Sequence, residues 1–146
     1  MRLCSIASGS SGNCIYVGSD TTHLLVDVGI SGKRTEAGLA ELGLTMRDID
    51  AICITHEHAD HISGLGVLTR KYGVPVYATK GTMEAIRHTS SLGKIDESLF
   101  RVITPDEKCI IKDISASVEA ADSCSGEIST RSFLLSERRK MMTEWI

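Results

Sequence analysis

The chain has 146 residues, of which 42% are hydrophobic and 24% charged, a composition typical of a globular domain with its own core. The formal charge of −3 argues against a general basic surface for nucleic acid, although bound divalent cations would add positive charge locally. The five cysteines form no C-x-x-C pair, so we expect reduced thiols in the cytoplasm and no disulfide framework. No apolar run reaches the ~20 residues of a membrane span, and the N-terminus lacks the apolar segment of a signal peptide.

The first half of the chain opens with short β-rich runs and continues with a helix. Tight turns join the three runs and predict an antiparallel meander over residues 3–7, 14–17 and 23–28. Ser31 is a candidate N-cap for a helix that runs to Leu42, and Gly43 is typical of its end. Thr45 and Asp48 have the spacing of a capping box, which predicts a single helical turn.

The middle of the chain alternates strands with helices. The wholly apolar run 51–54 predicts a strand buried on both faces. One helix face is indicated by apolar residues three or four apart, which are Ile62, Leu65, Leu68 and Tyr72. Gly73 is expected to end that helix. A further helix is predicted at 81–89, and strands at 74–78, 99–104 and 109–111. This order predicts an α/β chain with a sheet that has helices packed against it.

A cluster of histidines follows the buried strand and carries the chemistry of the chain. His56, His58 and His61 fall within six positions, and Asp60 lies among them. Because alternate residues of an extended segment point the same way, His56 and His58 can meet one metal ion, and a turn into a helix re-aims Asp60 and His61 toward a second. Glu57 points away. Mixed nitrogen and oxygen ligands suit Zn²⁺, with Mn²⁺ or Fe²⁺ as alternatives.

The pattern His56-x-His58-x-Asp60-His61 after an apolar strand resembles the metal motif of the metallo-β-lactamase superfamily. The run from Leu24 to Gly29, which ends in aspartate, valine and glycine, resembles the superfamily's preceding strand. The opening from Ser5 to Cys14, which reads SIASGSSGNC, resembles that of the YycJ-type bacterial branch. The resemblance covers residues 1–112.

That resemblance implies the N-terminal half of an αββα sandwich with a dinuclear zinc site at one edge of its sheets. It assigns His56 and His58 to the first metal, and Asp60 and His61 to the second. The branch is associated with exonuclease-like or phosphodiesterase-like hydrolysis, in which metal-bound hydroxide attacks the substrate and nucleic acid is a candidate. Asp60 could also orient the water or accept its proton. Asp27 is interpreted as a residue that orients a ligand or the water, the alternative being an ordinary turn aspartate.

The end of the chain departs from the family pattern. No histidine occurs after His88, whereas a complete site takes further ligands from a second half. Residues 117–122 resemble the run around the family's third histidine, but Val118 stands in its place. We therefore interpret 113–146 as a divergent tail, from a truncated or frame-shifted product, and we expect weak catalysis and possible self-association through an uncovered sheet face.

Other assignments stay open. The motif does not separate a phosphodiesterase from a thioester or lactam hydrolase, and a non-catalytic metal-binding fragment is a further alternative. A redox di-iron protein is less favoured because His58 fills the position of that branch's glutamate. The lone residues His23, His88 and Cys124 are not interpreted as ligands, and the loop 8–13 is interpreted as a tight turn beside the site rather than a phosphate-binding loop.

Overall fold

The computed structural model describes residues 1–118 and 133–137 as two sheets and four helices. A six-stranded sheet contains, in spatial order, β1 (Arg2–Ala7), β2 (Cys14–Gly18), β3 (His23–Val26), β4 (Ala51–Cys53), β5 (Val76–Ala78) and β6 (Phe100–Val102). A three-stranded sheet contains β7 (Cys109–Ile111), β8 (Ile114–Val118) and β9 (Phe133–Glu137). The helices are α1 (Gly32–Glu41), α2 (Ala59–Ile62), α3 (Leu65–Tyr72) and α4 (Lys80–Arg87), and single 3-10 turns lie at Met46–Asp48, Ser90–Leu92 and Glu97–Leu99.

The pairing of neighbouring strands changes from antiparallel to parallel at β3 in the larger sheet. β1, β2 and β3 pair antiparallel, which confirms the predicted meander, and β3 to β6 pair parallel. In the β3–β4 register Leu25 lies opposite Ile52 and Val26 opposite Cys53. Because these two strands run in the same direction, the segments that follow them emerge side by side at one sheet edge.

Both faces of the larger sheet are covered. Leu25 and Ile52 project into a core shared with the helices, which also contains Leu39, Leu65 and Leu68. The alternate residues project toward the smaller sheet and form a second core, whose strand members are Val17, Leu24, Val26, Ala51, Cys53, Ile111, Ile114 and Ala116. The prediction that residues 51–54 are buried on both faces is therefore confirmed. The layers are helix, sheet and sheet.

Local signals define the ends of α1. Ser31 caps the N-terminus of the helix by accepting a hydrogen bond from the backbone N–H of Arg34, and Leu42 is the C-cap residue. Gly43 follows with φ of +75°, a backbone conformation that favours glycine. The capping box of Thr45 and Asp48 forms as predicted around the next helical turn.

One predicted helix is divided in two. The apolar face from Ile62 to Tyr72 belongs to α2 and α3, with Ser63 and Gly64 between them. Gly64 donates its N–H to Val28 O, and a Cβ on Gly64 would lie 2.2 Å from Ile30 O. The break therefore comes from close packing against the segment after β3, a contact that helical periodicity does not report.

Two strands were missed in the tail. Within β8, burial alternates along the strand, with Ile114, Ala116 and Val118 turned inward. Sequence analysis assigned no strand here because the region was interpreted as divergent. Val118 is 1% exposed in this strand. Residues 119–122 and Cys124 lie outside the described residues.

Within the described residues, no helix is long and apolar enough to cross a membrane. The cysteines among them are all free thiols, namely Cys4, Cys14, Cys53 and Cys109. Burial raises the pKa of the Cys14 and Cys53 thiols to about 12. These two cysteines are packed as small apolar side chains.

Candidate metal centre

The histidine cluster lies where β3 and β4 end. Asp27 directly follows β3, and Thr55 and His56 follow β4 after the buried Ile54. His58 is the N-cap residue of α2, and Asp60 and His61 lie within that helix. The bend from strand to helix predicted from the spacing of the motif is therefore present.

The structure brings the four motif side chains together. The ring centres of His56 and His61 are 4.7 Å apart, and those of His56 and His58 are 6.1 Å apart. His61 Nε2 lies 3.6 Å from Asp60 Oδ2. The three imidazoles and the carboxylate thus share one region of the sheet edge, and His58 is the most exposed of these three histidines.

Asp27 is held in an unusual conformation beneath this cluster. Its φ of +62° is uncommon for a residue with a side chain, although aspartate tolerates it better than most, and the residue is 5% exposed. Its carboxylate accepts hydrogen bonds from the backbone N–H of Thr55 at 2.8 Å and from Thr55 Oγ1 at 2.7 Å. The same carboxylate lies 2.7 Å from His61 Nδ1. A bond from Nδ1–H to the carboxylate leaves His61 Nε2 as the ring nitrogen available to a cation.

Thr55 determines which ring nitrogen of His56 carries the proton, as Asp27 does for His61. Its hydroxyl has one hydrogen, which it donates to Asp27, so the 2.8 Å contact with His56 Nδ1 requires the imidazole to donate. His56 therefore also presents Nε2 as its free donor atom. Burial, and then the neighbouring His61, lower the pKa of His56, which favours the neutral, ligand-competent form.

Three backbone segments meet tightly behind Asp60. A Cβ on Gly29 would lie 1.7 Å from Asp60 O, and a Cβ on Gly12 would lie 2.5 Å from Gly29 O. Asn13, the chain's only asparagine, donates its backbone N–H to Asp60 O at 2.8 Å and accepts from Gly29 N at 2.8 Å. The Ser/Gly loop is thus a turn beside the site, as expected.

The donor chemistry fits divalent metal ions, but the ligand set is partial. Imidazole nitrogens with one carboxylate are the donors that zinc takes. Among residues 1–118 and 133–137, no three His, Cys, Asp or Glu side chains are grouped so as to hold an ion by themselves. His23 bonds to Tyr16 through its Nδ1, and His88 bonds to a carbonyl of its own helix, so neither joins the cluster.

Two residues of this region were not singled out by sequence analysis. Thr55 precedes the motif directly, and its place at the end of a buried strand was a usable signal. Asn13 stood in a loop recognised only as a turn, and nothing local connects it to Asp60, which is 47 residues away.

The motif, the layers and the edge site define a class of protein. The sequence-family model of the metallo-beta-lactamase superfamily matches residues 7–115, and the chain belongs to that superfamily. Two of the relatives found within this superfamily are exodeoxyribonucleases. The chain is 52% identical over 93 residues to exodeoxyribonuclease WalJ of Streptococcus pneumoniae, a match that covers 64% of this chain and 35% of the relative. It is 55% identical over 83 residues to exodeoxyribonuclease YycJ of Bacillus anthracis, covering 57% and 31%.

A more distant relative is ribonuclease Z of Methanopyrus kandleri, 30% identical over 99 residues that cover 64% of this chain and 33% of that protein. The chain therefore spans about a third of the length of these curated relatives. The expected resemblance to the YycJ-type branch is confirmed.

Solved structures confirm the fold class. A B3 metallo-beta-lactamase with an active-site glutamic acid superposes with a TM-score of 0.72 at 18% identity, covering 91% of this chain and 53% of that one. The Rm3 metallo-beta-lactamase gives a TM-score of 0.68 at 18% identity, with 91% and 57% covered. At this identity the likeness establishes the fold alone.

Proposed function

We propose that this chain carries part of the metal site of a nuclease-like hydrolase that cleaves phosphodiester bonds in nucleic acid. His56 and His58 would bind one Zn²⁺, and Asp60 and His61 a second. The observation that carries the proposal is the pair of imidazoles whose Nδ1 atoms are held by Asp27 and Thr55, which directs their Nε2 atoms outward. Mn²⁺ or Fe²⁺ would use the same donors.

Each residue has a part in the proposed chemistry. Divalent cations at this edge would supply an activated water and neutralise charge on a phosphodiester oxygen. His56, His58 and His61 act as neutral ligands. Asp60 orients the water and accepts its proton at a carboxylate oxygen. Asp27 holds the ring of His61 through Nδ1 and does not itself contact substrate.

The substrate class rests on the relatives and on charge. Two of the relatives above are named exodeoxyribonucleases and one a ribonuclease, so a phosphodiester of DNA or RNA is the proposed substrate. The chain itself has a net charge of −3, so bound cations would have to provide the local positive charge. The free thiols support a reducing, cytoplasmic location.

We also propose the division into residues 1–112, which carry the family likeness, and a divergent tail at 113–146. Sequencing the locus again tests it, since an uninterrupted frame with the same tail in close relatives would contradict it.

Self-association is proposed through the outer face of the smaller sheet, where Ile110 and Leu134 are 52% and 51% exposed. A monomer at all concentrations in sedimentation would argue against that.

The central experiment measures zinc content and turnover together. We expect the purified chain to bind Zn²⁺, and His58→Ala to reduce its zinc affinity more than tenfold. His88→Ala is the matched control because His88 is exposed and lies outside the cluster. A panel of single-stranded DNA, a nitrophenyl phosphodiester, a thioester and a lactam then identifies the substrate class. Equal zinc binding by both variants, or turnover of the lactam alone, would contradict the proposal.

A further inference from the structure

We infer that Asn13 is a positioning residue that orients the carboxylate of Asp60 at the candidate metal centre. The inference rests on the proposed function, because it assigns Asn13 a role through one of the proposed ligands. Asn13 comes from the loop between β1 and β2, whereas the motif residues all follow β4. It therefore adds a part of the chain that the histidine motif does not include.

Three contacts join Asn13 to Asp60. The backbone N–H of Asn13 donates to Asp60 O at 2.8 Å. Its side-chain Nδ2 lies 3.2 Å from the same carbonyl oxygen and 3.3 Å from the carboxylate Oδ2. One residue thus contacts both the backbone and the side chain of the proposed ligand, which limits how the carboxylate can turn.

The surroundings determine which way the amide of Asn13 faces. Its Oδ1 accepts a hydrogen bond from the backbone N–H of Gly9 at 3.2 Å, and Nδ2 donates to Gly9 O at 3.0 Å. If the amide were turned over, Oδ1 would face two carbonyl oxygens and a carboxylate, with no donor among them. The amide therefore gives one N–H to Gly9 O and directs the other toward Asp60, whose carbonyl oxygen and Oδ2 share it.

The backbone of Asn13 is anchored on two sides. Gly29 donates to Asn13 O, and its lack of a Cβ is what allows Asp60 O to approach this segment. Gly12 packs in turn against Gly29 O, again at a separation that admits no Cβ. Because close packing fixes the backbone at Gly12 and Gly29, Asn13 acts as a rigid support for the partly exposed side chain of Asp60.

The consequence concerns the carboxylate oxygen Oδ2 of Asp60, which is proposed to bind the metal. Asp60 Oδ2, which accepts from Asn13, is also the oxygen that lies 3.6 Å from His61 Nε2. A carboxylate oxygen has two lone pairs, so one can accept the amide N–H while the other remains for a cation shared with His61. Without Asn13 the carboxylate would rotate freely, and binding would lose the benefit of a preset ligand.

Zinc affinity measured with a chromophoric competitor tests this role. Asn13→Leu keeps the size of the side chain and its backbone bonds but removes the amide, and we expect it to weaken zinc binding about 10- to 100-fold. Asn13→Ser, which keeps a short donor, should lose less and serves if the leucine variant does not fold. Ser11→Ala, in the exposed part of the same loop, is the control and should bind as the parent does.

A double-mutant cycle separates positioning from simple loop support. In an Asp60→Ala background, Asn13→Leu should have no further effect on zinc affinity, because its target is gone. An equal loss in both backgrounds would overturn the inference, as would a lowered urea midpoint with unchanged zinc affinity. If His58→Ala abolishes zinc binding but Asn13→Leu does not weaken it, the inference fails alone. Failure of His58→Ala or Asp60→Ala to weaken binding would overturn both the inference and the proposed function.

Discussion

Strands β3 and β4 each have two regions of opposite character, a buried body and a polar end. In the bodies, Leu25 and Ile52 are fully buried among apolar side chains. Two residues after Leu25 and three after Ile52, Asp27 and Thr55 have side chains that bond to polar atoms of the site. The change falls where the two strands end, and there Thr55 and His61 provide hydrogen-bond partners for the buried carboxylate of Asp27.

The comparison indicates that stability and chemistry are supplied by different parts of the same strands. The bodies gain free energy by removing apolar surface from water. The ends hold a buried carboxylate that needs several hydrogen-bond donors to offset its desolvation. Substitutions in the bodies should therefore change unfolding, and substitutions at the ends should change metal binding more strongly.

The largest expected effect on stability comes from the body of β4. Ile52→Ala removes a side chain with no exposed surface and leaves a cavity in the core between sheet and helices. We expect it to lower the free energy of unfolding by about 2–5 kcal/mol, measured by urea denaturation. Val67→Ala is the control, since Val67 is 52% exposed, and it should change little. A loss below about 1 kcal/mol at Ile52 would mean that this core is less tightly packed than the structure indicates.

The second-largest effect on stability is expected at the end of β3. Asp27→Ala leaves the N–H of Thr55 and Nδ1 of His61 without their acceptor. We expect a loss of about 1–3 kcal/mol in the free energy of unfolding. Zinc affinity should fall about 10- to 100-fold, measured by chelator competition.

The matched control is Asp96→Ala, because Asp96 is an exposed aspartate that caps a remote helical turn. It should leave zinc affinity unchanged. If Asp27→Ala lowered stability alone and zinc affinity stayed at the parent value, Asp27 would belong functionally to the strand bodies.

The smallest effect concerns the last residue of the β4 body. Burial raises the pKa of the Cys53 thiol from 9.0 to about 12. In the unfolded chain the thiol loses its proton near pH 9, whereas in the folded protein it keeps it. The folded state is therefore at no disadvantage below pH 9 and loses stability as the pH rises from 9 toward 12.

At pH 10 this amounts to about 1 kcal/mol for Cys53. Urea midpoints at pH 7.5 and pH 10 measure it, and Cys53→Ala should remove that part of the alkaline loss. Cys4→Ala, at a partly exposed thiol in β1, provides the comparison. An identical alkaline loss in the parent and Cys53→Ala would show that this thiol ionises in the folded protein.

Sequence alone was sufficient where the physical cause is local. Ser31, Gly43 and the Thr45–Asp48 pair act within one helical turn, so their effects were visible in the residue order. The same holds for the grouping of the histidines, because the distance along the chain between His56 and His61 is short whatever the fold. The superfamily and its fold class followed from that motif.

Tertiary structure decided whatever depends on segments distant in the chain. The break at Gly64 exists because the backbone after β3 lies against it, and no periodicity of the helix itself encodes that contact. Asn13 reaches Asp60 across 47 residues only because the sheet places β2 beside β3 and β3 beside β4. Which nitrogen of each imidazole faces outward likewise depends on Asp27 and Thr55, and hydrogen bonds of that kind are defined by packing in space and not by spacing in sequence.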